Sequence, residues 1–185
     1  MQRTIVEESP QPVAVMDVFS KLVQERIIYI DGVIDDDLAN GVIAQMLYLS
    51  SQHASDNTIH VYINSPGGSV TSGLAIFDIA KLIKVPIRTI CVGQAASMGS
   101  ILMLMGQERV GLKHSRFLLH QVSGGSIGKL EDIRIDYEEM KVLENYLYDI
   151  IAEYTSFENL PDYLKFDRWF GSDLALEKGL ITKIL

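Results

Sequence analysis

Twice in the middle of the chain a short, mostly apolar run ends in glycine and passes straight into small, helix-starting residues. Residues 59–63 lead into Asn64-Ser65-Pro66-Gly67-Gly68-Ser69-Val70, and residues 87–92 lead into Gly93-Gln94-Ala95-Ala96-Ser97-Met98-Gly99-Ser100. A buried strand handing over to a helix through a tight turn is the building unit of a mainly parallel sheet, joined by right-handed helical crossovers. This pattern constrains the chain to an α/β fold of repeated strand-helix units. Ligands in such folds gather at the carboxyl ends of the strands. Gly68, Ser97 and His120 are all expected there.

The remaining elements fit the same plan. Residues 16–26 place Met16, Phe19, Leu22 and Val23 at helical spacing, and residues 27–30 read as a short strand closed by Asp31-Gly32. Asp35-Asp36-Asp37 opens a helix reaching about His53, and is read as a cap on the positive helix end rather than a metal site. Helices are expected over residues 71–84 and 97–105, and short strands near Val110 and over 117–120, giving a sheet covered on both faces. The longest helical pattern spans residues 129–154, with Leu130, Ile133, Tyr137, Met140, Leu143, Leu147 and Ile151 on one stripe. Glu138, Glu139, Lys141 and Glu144 lie off it, as solvated or inter-subunit positions. Residues 1–15 carry two glutamates and two prolines without a period and read as an extended arm.

With 185 residues, 48% of them hydrophobic and 22% charged, the chain has the composition of one globular domain spanning residues 1–185. A net charge of −8 with no lysine and arginine patch argues against nucleic-acid binding. No stretch is apolar for long enough to cross a bilayer, and the N-terminus lacks the pattern of a secretory leader. The one cysteine, Cys91, sits in an apolar run and reads as a core residue of a protein in a reducing compartment.

Chemistry centres on Ser97. Alone, a serine at a helix start is a capping residue. As a nucleophile it needs a base with a pKa near neutrality, which points to histidine. Of the four histidines, His53 reads as a loop residue, His60 as a packed strand residue, and His114 lies in a basic turn. His120 closes the apolar run 117–119 at the sheet end where Ser97 is expected. An orienting carboxylate would complete the set, with Asp162, Asp167 and Asp173 left open as candidates. Paired glycines at Gly67 and Gly68 allow close backbone approach, so the Gly68 and Met98 N–H groups are candidate oxyanion donors.

Ser-Pro-Gly-Gly at 65–68, Gly-Gln-Ala-Ala-Ser-Met-Gly at 93–99, His120-Gln121, the long helix after Gly128 and Asp167 together closely resemble the ClpP family, the proteolytic subunits of ATP-dependent caseinolytic proteases. The likeness covers nearly the whole chain. It implies a ClpP/crotonase-like fold and a serine endopeptidase with Ser97, His120 and Asp167 as triad. The oxyanion hole would be Gly68 and Met98, and the substrate would lie along Gly67, Ser69, Val70, Gly124 and Gly125. The glycine-rich link 123–128 would be a strand that pairs with the substrate backbone, and helix 129–155 a handle between rings. The resemblance also implies two stacked seven-membered homo-oligomeric rings in the cytoplasm, where unfolded polypeptides are fed in by an AAA+ Clp ATPase. That partner would dock on a pocket at His60, Tyr62, Leu82, Ile90, Val92, Val110 and Leu112. No cofactor is implied, since ATP is the partner's ligand.

The chain departs from the family pattern at several places. Pro12-Val13-Ala14-Val15 stands where relatives carry charges, Phe166 replaces an arginine before the triad aspartate, Val122 replaces a proline, His60 an aromatic and Thr182 an acidic residue. Two other classes compete: a non-catalytic ring subunit supporting an active paralogue, and a crotonase-type acyl-CoA enzyme, which would need no serine-histidine-aspartate set.

Overall fold

The computed structural model describes residues 4–6, 15–52 and 57–185. Of the expected N-terminal arm, only Thr4–Val6 (β1) and Val15, the first residue of Val15–Asp17 (β2), fall within that range. These two strands pair antiparallel. The rest of the arm and His53 lie outside the described residues. Asp17 closes β2 and caps Val18–Gln24 (α1), its carboxylate accepting from the Phe19 and Ser20 N–H groups at 2.9 and 3.1 Å. The helix expected over residues 16–26 is therefore shorter at both ends.

Then follow Ile27–Ile34 (β3), Asp36–Ser51 (α2), Ile59–Gly68 (β4), Val70–Leu82 (α3), Ile87–Ala96 (β5), Met98–Met103 (α4), Glu108–Gly111 (β6) and Arg116–Leu119 (β7). The two central strands run beyond their apolar cores because the glycine-bearing turns stay paired: Ile34 lies opposite Gly68, and Ser65 opposite Ala95. Asp35 caps α2, its carboxylate accepting from the Leu38 N–H at 2.9 Å, and Asp36 accepts from the Ser72 hydroxyl at 2.5 Å. Two of the three aspartates thus serve helix ends and helix-helix contact.

The sheet has seven strands. Parallel strands run in the order β3-β4-β5-β6 and end on Lys183–Ile184 (β9). Strand β5 forks. Residues Arg88 to Cys91 pair with β6, whereas Gln94 to Ala96 pair with β7. Strand Arg168–Gly171 (β8) then lies antiparallel on β7.

Because β3 to β6 are added in one direction, right-handed crossovers carry α2, α3 and α4 to the same face of the sheet. Along β4 the residues toward those helices, Ile59, Val61 and Ile63, are fully buried, whereas His60 and Tyr62 on the other face are only half-buried. The expectation of two covered faces is met only in part: on the second face α1 packs at β3, with the Phe19 ring 6.2 Å from that of Tyr29, and covering the rest with crossover helices would need a reversal of strand order that β3 to β6 do not have.

The remaining helices are Leu130–Tyr154 (α5), Leu160–Tyr163 (α6) and Ser172–Glu177 (α7). The expected apolar stripe of α5 divides in two. Ile151 is buried in the core, whereas Leu130 is 80% exposed and Ile133 and Tyr137 also face outward. The helix packs on the core by its C-terminal part, and the apolar side chains of its N-terminal part are left exposed. No helix among the described residues is long and apolar enough to cross a membrane. Asp35→Ala removes the cap of α2 and is expected to lower the unfolding free energy by about 1 kcal/mol, read from a denaturant midpoint.

Candidate active site

Ser97 occupies the single residue between β5 and α4. Its backbone has φ 54° and ψ −123°, a region that strains a residue with a side chain. The strain is held from both sides. Its N–H donates to the Leu118 carbonyl at 2.8 Å, tying it to β7, and its carbonyl accepts from Ser100 and Ile101 in α4. The hydroxyl does not cap α4. It lies 2.8 Å from His120 Nε2 instead, so the capping role open to a serine here is not the one it takes.

His120 sits one residue past β7, and the next N–H, of Gln121, donates to the Leu164 carbonyl at 2.8 Å. The histidine is thereby fixed between the sheet and α6. Gly67 has φ +97°, and a Cβ there would lie 2.6 Å from Ser97 Cβ and 3.1 Å from Met98 N. Only a glycine lets β4 pass this close to the serine. Gly68, at φ +154°, is pressed on the other strand: a Cβ would meet the Ile34 carbonyl at 2.2 Å. Below them the fully buried Ser65 hydroxyl accepts from the Gly67 N–H at 3.1 Å and donates to the Gly32 carbonyl at 2.6 Å.

The β7–β8 register separates the three candidate carboxylates. Leu119 pairs with Arg168 and Arg116 with Gly171, so the next facing positions past Leu119 are His120 and Asp167, while Asp173 belongs to the opposite end. Asp162 accepts from Asn159 Nδ2 at 2.7 Å. Asp167 is exposed, and among the described residues no hydrogen bond joins it to His120. The register brings the two backbones side by side. Arg168 is held by Tyr163, donating from Nε to its carbonyl at 2.8 Å with the guanidinium 5.2 Å from its ring centre. Phe166 beside Asp167 is 65% exposed.

Gly68, Met98, Ser97 and His120 line one cavity together with Val70. Met98 opens α4, where a backbone N–H has no acceptor within the helix. Ser69 caps α3 through the Ser72 N–H at 3.3 Å. Gly124 and Gly125 are exposed, and among the described residues no strand pairs with 123–128. Cys91, the other side chain with nucleophilic chemistry near this strand, is fully buried. Burial pushes its thiol up to about 11, so it stays protonated at neutral pH.

The seven positions expected to receive a partner divide by burial. Ile90 and Val110 face each other across β5 and β6 and are 5% and 0% exposed. His60, Tyr62, Val92 and Leu112 are half-buried, and Leu82 is exposed. Two residues unsuspected in the sequence enter the site, Leu118 through its carbonyl and Tyr148 through the cavity wall. Glu144 lines the same wall rather than lying free in solvent. Its spacing of i, i+4 and i+7 with Tyr148 and Ile151 is the signal that could have placed it.

Fold and site together define a mixed α/β protein with a serine-histidine pair at the fork of a mainly parallel sheet. The family model of the Clp protease matches residues 10–185, and the chain belongs to that family. Membership makes it a peptidase-type domain.

If the backbone at Ser97 is strained as its φ indicates, Ser97→Gly is expected to exceed Ser97→Ala in unfolding free energy by about 1 kcal/mol. Paired denaturant titrations read this difference. Gly67→Ala is expected to remove the reactivity of Ser97 toward a serine-directed phosphonate, followed by intact mass.

Proposed function

We propose that the chain is a serine endopeptidase acting on unfolded polypeptides. The observation that supports this most is the 2.8 Å contact between Ser97 Oγ and His120 Nε2, made by a serine whose strained backbone withdraws it from helix capping. Ser97 Oγ attacks the peptide carbonyl while His120 takes its proton. The oxyanion that forms accepts from the Gly68 and Met98 N–H groups, and His120 then returns the proton to the leaving amine. Water repeats the sequence on the acyl-enzyme. Asp167 reaches His120 Nδ1 by side-chain rotation from its facing position, holding the tautomer and stabilising the imidazolium.

The open face of the sheet and the unpacked part of α5 support assembly into homo-oligomeric rings of seven, stacked in pairs through α5. In such a chamber the exposed link 123–128 gains a partner when substrate backbone lies beside it, with Gly124 and Gly125 admitting close approach. An AAA+ Clp ATPase would unfold and feed the substrate, docking at His60, Tyr62, Leu82, Val92 and Leu112 over the buried Ile90 and Val110. The setting is the cytoplasm. Among the competing classes, a crotonase-type enzyme would leave the serine-histidine contact without a role.

Ser97→Ala is expected to keep the assembled mass while hydrolysis of a short fluorogenic peptide falls on the order of 10⁴-fold or more. Phosphonate labelling should report Ser97 alone. An assembled protein with no Ser97-dependent labelling would instead be the non-catalytic ring subunit. Asp167→Asn is expected to lower kcat/KM by on the order of 10²–10⁴-fold with labelling slowed in proportion.

A further inference from the structure

The cavity beside Ser97 runs under α5 and is partly open to solvent. Its lining is largely apolar, with Met98, Ile101 and Leu147 among it, and two polar side chains of α5, Glu144 and Tyr148, line it too. Glu144 is half-buried there, and among the described residues no ion pair includes it. The Tyr148 hydroxyl is shut off from solvent and has no hydrogen-bond partner. The side chains of Gln121 and Glu144 come near enough to bias its titration, yet neither reaches bonding geometry. A desolvated hydroxyl without a partner, beside a carboxylate without a cation, is an incomplete polar site. The group that would complete it must arrive from outside.

The residue whose carbonyl Ser97 attacks has its side chain nearest this cavity. That side chain would meet both an apolar lining and the polar groups of Glu144 and Tyr148. Lysine and arginine have this construction, with an aliphatic stem that packs on apolar surface and a charged tip that only donates. A carboxylate at the tip position would meet Glu144 with like charge. Leucine would leave both polar groups as they are.

Resting on the peptidase reading above, we infer that this cavity selects a basic residue on the acyl side of the scissile bond, with Glu144 and Tyr148 as the specificity-determining residues. Glu144 binds the cationic tip, and the Tyr148 hydroxyl oxygen accepts a hydrogen bond from it as well. The overall charge of −8 favours the same substrates by drawing cationic segments toward the protein.

The test uses the assembled full chain and fluorogenic peptides that differ only at the acyl-side residue: lysine, arginine, leucine, methionine or glutamate. Lysine and arginine peptides are expected to exceed leucine in kcat/KM by about 10–100-fold, as for a hydrogen bond to a charged group, and to exceed glutamate by more. Glu144→Gln should bring the basic-to-leucine ratio near unity, chiefly through KM. Glu144→Lys should invert the order of the lysine and glutamate peptides, and Tyr148→Phe should lower the ratio about threefold. Labelling of Ser97 by an uncharged phosphonate reports in every variant whether the site is intact. Labelling with a leucine or methionine preference that Glu144→Gln leaves unchanged overturns the assignment of the cavity and spares the peptidase reading. Absence of Ser97-dependent labelling in the wild type overturns both.

Discussion

Everything at the site depends on one residue being held where it does not relax. Ser97 sits at positive φ, a conformation that for a residue with a Cβ costs on the order of 1–3 kcal/mol. Three neighbours hold it there. Leu118 fixes its N–H, the first turn of α4 takes its carbonyl, and Gly67 presses against its Cβ with no side chain of its own. The benefit is directional: the hydroxyl that would otherwise fold back onto the helix points at His120. The serine endopeptidase proposed above would need that orientation of the oxygen more than it needs local stability.

The architecture around this residue follows from the winding of the sheet. Strands added in one direction place their crossover helices on one side, so the core forms between β3 to β6 and α2 to α4. The other face is left with half-buried side chains such as Tyr29 and Tyr62, whose rings stack 6.2 Å apart. The same one-sidedness appears in α5, with a buried C-terminal end and an exposed apolar N-terminal part. Both features belong to a subunit whose surface is completed by contacts outside the chain, as proposed for the rings.

Much of this was legible in the sequence, for identifiable reasons. The strand-glycine-helix hand-overs set the parallel sheet because apolar runs and glycine turns are local signals, and the spacing of His120 after an apolar run placed it at the right sheet end. What was not legible was non-local. The covered and open faces depend on strand order, which no local pattern encodes. The start of α1 moved because Asp17, rather than Met16, offers a capping oxygen. Gly67 was readable as permissive, but its close approach to Ser97 exists only once β4 and β5 are paired out of step. Glu144 looked solvated because charge on a helix usually is, and only the position of α5 over the cavity brings it inward. Among the carboxylates, the antiparallel register of β8, invisible in the sequence, distinguishes Asp167 from Asp173.

The fork in β5 gives Ser97 an unusual independence. Along one edge of the strand, Arg88 to Cys91 answer to β6 and, through it, to β9, while Gln94 to Ala96 answer to β7 in its place; along the other edge both halves stay beside β4. Variation along the outer edge, in loop length or strand composition, is therefore absorbed before it reaches the serine. A fold divided in this way is free to diversify its rim over generations while its chemistry stays in register.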